Sequence, residues 1–285
     1  MSTPRRTVTS RDGTTIAFSR VGCGPPVVLV DGALCHRGAG PNGPLAELLA
    51  ERFTVYTYDR RGRGESGDGA PYDVQREIED LEAVILAAGG TASVYGISSG
   101  GALALEAAIR LDGIDRLALF ELPFVVDDTR APIPPDFAAH LTRLIAADRR
   151  GQAVRYFMTA GVGLGRTMVA MMAVMPMWSK LKALAHTLPY DATILGPDTG
   201  TGGPLPSERW AALTVPTLVI GGGKSPSWMR NSVRVLADHL GAGHETLEGQ
   251  THLVKPHALA PVLTSYFGVE PSARTVHPPP RAYVA

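Results

Sequence analysis

The stretch whose residue types and spacing speak most directly of chemistry is Gly96-Ile97-Ser98-Ser99-Gly100. A serine at G-x-S-x-G spacing, set on a sharp strand-to-helix turn, is a nucleophile elbow. Its strained backbone aims the hydroxyl out of the sheet edge, and the flanking glycines let strand and helix close up around it. Here the hydroxyl is that of Ser98, and the backbone N–H of Ser99 faces the same point. A Gly/Ser-rich turn that only packs a helix on a sheet fits the same pattern. The context favours the chemical reading: Ser93-Val94-Tyr95 before the turn is β-like, and residues 101–110 are rich in Ala, Leu and Gly. A serine of this kind still needs a base, an acid to orient that base, and donors for a developing oxyanion.

Alternating strand and helix signals surround the elbow. Asp12-Gly13 between alternating segments reads as a hairpin turn, and the continuous apolar run Val27-Val28-Leu29-Val30 suits a strand buried on both faces. A short helix (44–50), a strand (54–58) and a helix (74–88) carrying Val74, Ile78, Leu81 and Ile85 at helical spacing come before the elbow. After it come strands at 117–120 and 217–220, a helix at 231–240, a strand end at 245–247 and a closing helix at 258–267. This order predicts a doubly wound, mostly parallel α/β sheet with right-handed crossovers, whose ligands bind beyond the carboxyl ends of the strands.

Between 124 and 212 the alternation stops, over a span too long for a plain loop. The expected organisation is a core of 1–124 and 213–270, an inserted helical cap at 125–212, and a loosely held tail at 271–285. Within the cap, Met168, Met171, Met172, Met175, Met177 and Trp178 form an apolar stripe. It predicts a hydrophobic ceiling, as packing of cap on body or as an adaptable wall for substrate.

Twenty-seven basic and twenty-seven acidic residues cancel, which removes the electrostatic case for nucleic acid or an anionic membrane as partner. The apolar run 168–178 falls short of the roughly 20 residues that span a bilayer. No apolar segment follows Arg5 and Arg6, and Cys23 and Cys35 are the only cysteines, so a reduced, cytoplasmic protein without a secretory signal is expected. Neither a cofactor nor a metal is called for, and the oligomeric state is not readable.

The order of these elements resembles the α/β-hydrolase superfamily over residues 27–267. Asp59-Arg60-Arg61-Gly62-Arg63-Gly64-Glu65-Ser66 is similar to that family's D-x-R-G-x-G-x-S loop, which braces the elbow and makes Arg61 and Arg63 scaffold. Gly249-Gln250-Thr251-His252 is similar to its late G-x-x-H turn, and the resemblance implies His252 as the base, after the last strand. Of the other seven histidines, only His36 competes, because it follows the loop that leaves the strand at 27–30.

Two departures bear on mechanism. The loop that commonly opens His-Gly opens here as Asp31-Gly32. The backbone N–H of Ala33 can still join that of Ser99 in an oxyanion hole, since a peptide donor does not depend on its side chain. A carboxylate at Asp31 would oppose an oxyanion unless paired or turned away, and Arg61 is a candidate partner. Second, Ser225 stands where the usual acid follows the strand at 217–220. Some branches, haloalkane dehalogenases among them, place the acid after the preceding strand, where this chain has Glu121; Asp31 and Asp127 are the alternatives. Leu34, His36, Met172 and Trp178 are further candidate neighbours of the site.

Ser98 as nucleophile, His252 as base and Glu121 as acid imply a serine hydrolase acting on an ester, lactone or thioester of an apolar small molecule through an acyl-enzyme. A serine nucleophile argues against the alkyl attack of dehalogenases and epoxide hydrolases. The alternatives are a member of the fold that binds or shapes a small molecule without hydrolysis, and C–C bond chemistry at the same site.

Overall fold

The computed structural model describes residues 6–269. Eight strands form one sheet in the order β1-β2-β4-β3-β5-β6-β7-β8. They are β1 (Arg6–Thr9), β2 (Thr15–Val21), β3 (Pro26–Val30), β4 (Thr54–Tyr58), β5 (Ala92–Ile97), β6 (Ile114–Phe120), β7 (Thr217–Gly222) and β8 (Gly243–Leu247). The hairpin expected at Asp12-Gly13 pairs Thr9 with Thr15, and β2 runs antiparallel to β4. All remaining pairings are parallel.

The central strands are apolar throughout because both faces of the sheet are covered. Side chains alternate between two cores. Val28, Val30, Val94, Leu117 and Leu119 face one, and Val27, Leu29, Tyr95, Ala118 and Phe120 face the other. Each such aliphatic side chain withdrawn from water is worth about 1.5–3 kcal/mol. The first core is closed by α2 (Val74–Ala87) and α3 (Ser99–Ala108), the second by α1 (Asn42–Leu49) and α10 (Pro256–Phe267). The Asp73 side chain caps α2 by accepting the N–H of Gln75, and Ile78, Leu81, Val84 and Ile85 form its buried stripe. The helix expected at 231–240 begins earlier, as α9 (Ser227–Leu240), because Met229 extends the buried series Val233, Leu236 and Ala237 by one turn.

Between β6 and β7 lie five α-helices: α4 (Phe137–Ala146), α5 (Arg150–Tyr156), α6 (Arg166–Met172), α7 (Met177–Leu184) and α8 (Leu188–Leu195). They share an apolar cluster of their own, which Leu34 joins from the loop after β3. Among the described residues no single helix is long and apolar enough to cross a membrane. The tail expected at 271–285 lies outside the described residues.

Candidate active site

The turn from β5 into α3 carries Ser98 at φ 56° and ψ −128°, a conformation that side-chain-bearing residues seldom adopt. The strain is held by packing on every side. The Ser98 N–H donates to the Phe120 carbonyl at 2.9 Å, and the Ser98 carbonyl accepts from Gly101 and Ala102 as the helix begins. Glycine is required at 100, where a Cβ would lie 2.4 Å from the Asp31 carbonyl oxygen. At Gly32 a Cβ would come within 3.1 Å of the Ser98 Cβ and 3.7 Å of its Oγ, so the loop after β3 runs directly past Ser98. Ser99 is the first residue of α3, and its N–H has no acceptor within the helix. Ser98, the Ser99 N–H and the Gly32-Ala33 segment thus meet at the positive end of the α3 dipole.

Glu121 directly follows β6, at φ 45° and fully buried. A lone carboxylate there would be costly to hold without partners. It has two: Oε1 accepts the Gly222 N–H at 2.7 Å, and Oε2 lies 2.9 Å from Nδ1 of His252. The His252 turn is fastened by the Lys224 N–H on the Gln250 carbonyl, 2.8 Å, and by the Lys255 N–H on the Gln250 side chain, 3.0 Å. Nδ1 being engaged, Nε2 is the nitrogen left to exchange a proton.

The other candidates lie elsewhere. Ser225, at the usual acid position, is buried, and a Cβ on Gly222 would sit 2.9 Å from its Oγ, so it packs beneath the peptide that holds Glu121. Asp127 is taken up locally, accepting the Thr129 N–H and the Asn231 side-chain amide. His36 turns back on its own loop, where its Nδ1 accepts the Gly38 N–H at 3.1 Å.

Asp31 is buried, and its carboxyl packs against Gly40. The expected partner is not there. Arg61 points to the other side of its turn, onto Asp80 of α2 at 2.7 Å through both Nε and Nη2, and onto Asp12 at 3.0 Å. Among the described residues Oδ1 of Asp31 has no hydrogen-bond partner. Burial lifts the Asp31 carboxyl to about 7, with Asp59 adding to the rise and Arg63, Arg60 and the Asn42 N–H opposing it. The same burial, helped by Asp31, pushes the Cys35 thiol up to about 12, so it stays protonated.

Beneath the elbow lies a buried charge network that the sequence reading missed. Arg63 donates to Asp191 of α8 at 2.8 and 2.9 Å and to the Gly32 carbonyl at 2.6 Å. Arg60 donates to Asp191 at 2.9 Å and grips Glu77 at 2.7 and 2.8 Å. The Ser99 hydroxyl completes the set, donating to Asp191 at 2.7 Å. Burial opposes the Asp191 charge, but Arg63, Arg60 and Ser99 outweigh it and hold the carboxyl below its ordinary range. One signal was available in the sequence: Asp191 is the only acid between Asp148 and Asp198.

The methionine stripe is not the continuous ceiling expected. The helical segments Arg166–Met172 and Met177–Leu195 are bent 102° apart across the break at 173–176, so its members do not share a face. Trp178 is buried in the cluster that holds Leu34, and Met172 packs against that cluster half-buried. Met168, Met171, Met175 and Met177 are exposed. A cleft of about 570 Å³ on the helical segment, lined by Arg150, Arg155, Trp178 and Lys182, contains none of Ser98, Glu121 or His252.

A serine elbow after β5, an acid after β6 and a histidine after β8, on a sheet of this strand order, define the alpha/beta-hydrolase fold. Residues 12–262 match the alpha/beta hydrolase family, and the chain belongs to that family. It is similar to an alpha/beta hydrolase from Sphaerobacter thermophilus, at 55% identity and a TM-score of 0.84, over 92% of this chain and all of the other. At the level of the fold it is similar to 2-hydroxy-6-oxo-6-phenylhexa-2,4-dienoate hydrolase from a Rhodococcus species, at 19% identity, TM-score 0.65, over 94% of this chain and 100% of that one. A thermophilic esterase from Thermogutta terrifontis aligns at 20% identity, TM-score 0.61, over 92% and 97% of the two chains. The family and the first of these likenesses support a hydrolase.

Proposed function

We propose that this protein is a serine hydrolase that cleaves an ester, lactone or thioester of an apolar small molecule through an acyl-enzyme on Ser98. The observation that carries the reading is the buried Glu121 carboxylate, 2.9 Å from His252 Nδ1 and at the end of the strand beside the elbow. An acid so placed fixes one tautomer of the imidazole and stabilises the imidazolium, leaving Nε2 to act on the serine.

In the proposed reaction Ser98 Oγ attacks the acyl carbon, and its proton passes to His252 Nε2. The negative charge that develops on the acyl oxygen falls to the N–H groups of Ser99 and Ala33. His252 returns the proton to the leaving oxygen or sulfur. Water, deprotonated by the same nitrogen, then releases the acid and restores Ser98.

Labelling with a fluorophosphonate tests this reading, because the probe reports an activated serine without requiring the natural substrate. Wild type is expected to be labelled stoichiometrically, with Ser98→Ala unlabelled. An unlabelled wild type that turns over no activated ester, yet binds small molecules as tightly after Ser98→Ala, would replace hydrolysis with a binding role.

A further inference from the structure

We propose that Asp191 of α8 is a positioning residue that sets both backbone donors of the oxyanion site, so that the seating of the helical segment on the sheet governs transition-state stabilisation. This rests on the acyl-transfer reading above. One carboxylate reaches both donors, by two different routes. In the first, the Ser99 hydroxyl donates to Asp191 Oδ1 at 2.7 Å, which fixes the residue whose own N–H opens α3. In the second, Arg63 holds Asp191 through Nη2 and the Gly32 carbonyl through Nη1 at 2.6 Å. The Gly32 C=O and the Ala33 N–H belong to a single planar peptide, so clamping the oxygen orients the hydrogen on its far side. A charge-assisted bond to that oxygen also polarises the same peptide toward donation.

The surroundings suit such a role. Asp191 is fully buried, and Arg60, Arg63 and Ser99 are each no more than 2% exposed, so water does not compete for these bonds. An ion pair that served only to fasten the helical segment would need neither the Ser99 hydroxyl nor the Gly32 carbonyl. Arg60 could hold Asp191 alone, while Glu77 balances its charge. The second arginine and the hydroxyl turn a fastening into a link that ends on the two peptides flanking Ser98.

Ser99→Ala and Asp191→Asn test the idea with steady-state kinetics on an activated ester and with an aryl boronic acid as transition-state analogue. Ser99→Ala cuts the first route while keeping the backbone N–H, and kcat is expected to fall about tenfold with KM within about twofold. Asp191→Asn weakens both routes, and about a hundredfold loss of kcat is expected. The double variant is expected to be no slower than Asp191→Asn alone. Boronic acid affinity should fall by the same factors, while a non-reactive amide analogue binds the variants as it binds wild type. Should Asp191→Asn fail to fold, because buried Arg63 loses its counter-charge, Ser99→Ala decides. Wild-type kcat and boronic acid affinity in Ser99→Ala would overturn the inference, as would equal losses for the boronic acid and the amide. A wild type that no fluorophosphonate labels would instead sink the hydrolase reading, and the two failures are told apart by that probe.

Discussion

Asp31→Asn tests the electrostatics of the loop beside Ser98. Wild-type Asp31 is 3% exposed, and burial raises its carboxyl from 3.8 to about 7. A shift of that size corresponds to at most about 4 kcal/mol of preference for the neutral form in the folded protein. Between about pH 4 and pH 7 the folded chain holds a proton at Asp31 that the unfolded chain has released. Unfolding therefore releases that proton, and this contribution to stability is full below about pH 4, declines as pH rises, and is gone above about pH 7. Asparagine keeps the shape and cannot ionise. Relative to wild type, Asp31→Asn is expected to be neutral near pH 4 and more stable by about 2–4 kcal/mol near pH 8. Urea unfolding of both proteins at intervals across this range gives the difference directly. Parallel stability curves would refute the reasoning. So would an Asn variant weaker by a constant amount, since that is the mark of an ionised carboxylate paired with Arg60 or Arg63.

Two further predictions separate catalysis from scaffold. Glu121→Gln keeps the size of the side chain but loses the charge facing His252 Nδ1, and kcat is expected to fall about 10³–10⁴-fold with little change in KM; an unchanged rate on an activated ester would move the acid role to another residue. Arg61→Ala leaves the buried Asp80 without its two-point partner and is expected to lower stability by about 3–5 kcal/mol in a denaturant titration, while kcat per folded molecule stays at the wild-type value.

Local physics made the sheet legible from the sequence. Runs such as Val27-Val28-Leu29-Val30 must bury both faces, and the glycines at 96 and 100 mark the close approach of strand, helix and loop that the elbow needs. Glu121 was legible as a candidate through the resemblance to branches that place the acid after the preceding strand, and the structure sets its carboxylate 2.9 Å from His252 Nδ1. Partners far apart in sequence leave no such local mark. Arg61 and Arg63 are two residues apart in one turn, yet Arg61 braces α2 while Arg63 reaches both the helical segment and the loop after β3. The methionine spacing is helical, but it runs across a break between two helical segments bent 102° apart, and local periodicity does not reveal that break.

The two departures from the family pattern answer each other in the structure. With Glu121 as the proposed acid at the end of β6, Ser225 packs beneath Gly222, whose N–H holds the Glu121 carboxylate at 2.7 Å. That arrangement sets the Glu121 carboxylate 2.9 Å from Nδ1 of His252. A second negative charge at Asp31 would oppose an oxyanion formed near Gly32. The fold meets this in two ways: the Asp31 side chain faces Gly40, and burial raises its proton affinity until the carboxyl is largely neutral below about pH 7. Aspartate at this position is therefore compatible with the proposed oxyanion site as long as Asp31 keeps its proton. Alkaline conditions are where the Asn variant should gain on wild type in stability and lose nothing in rate.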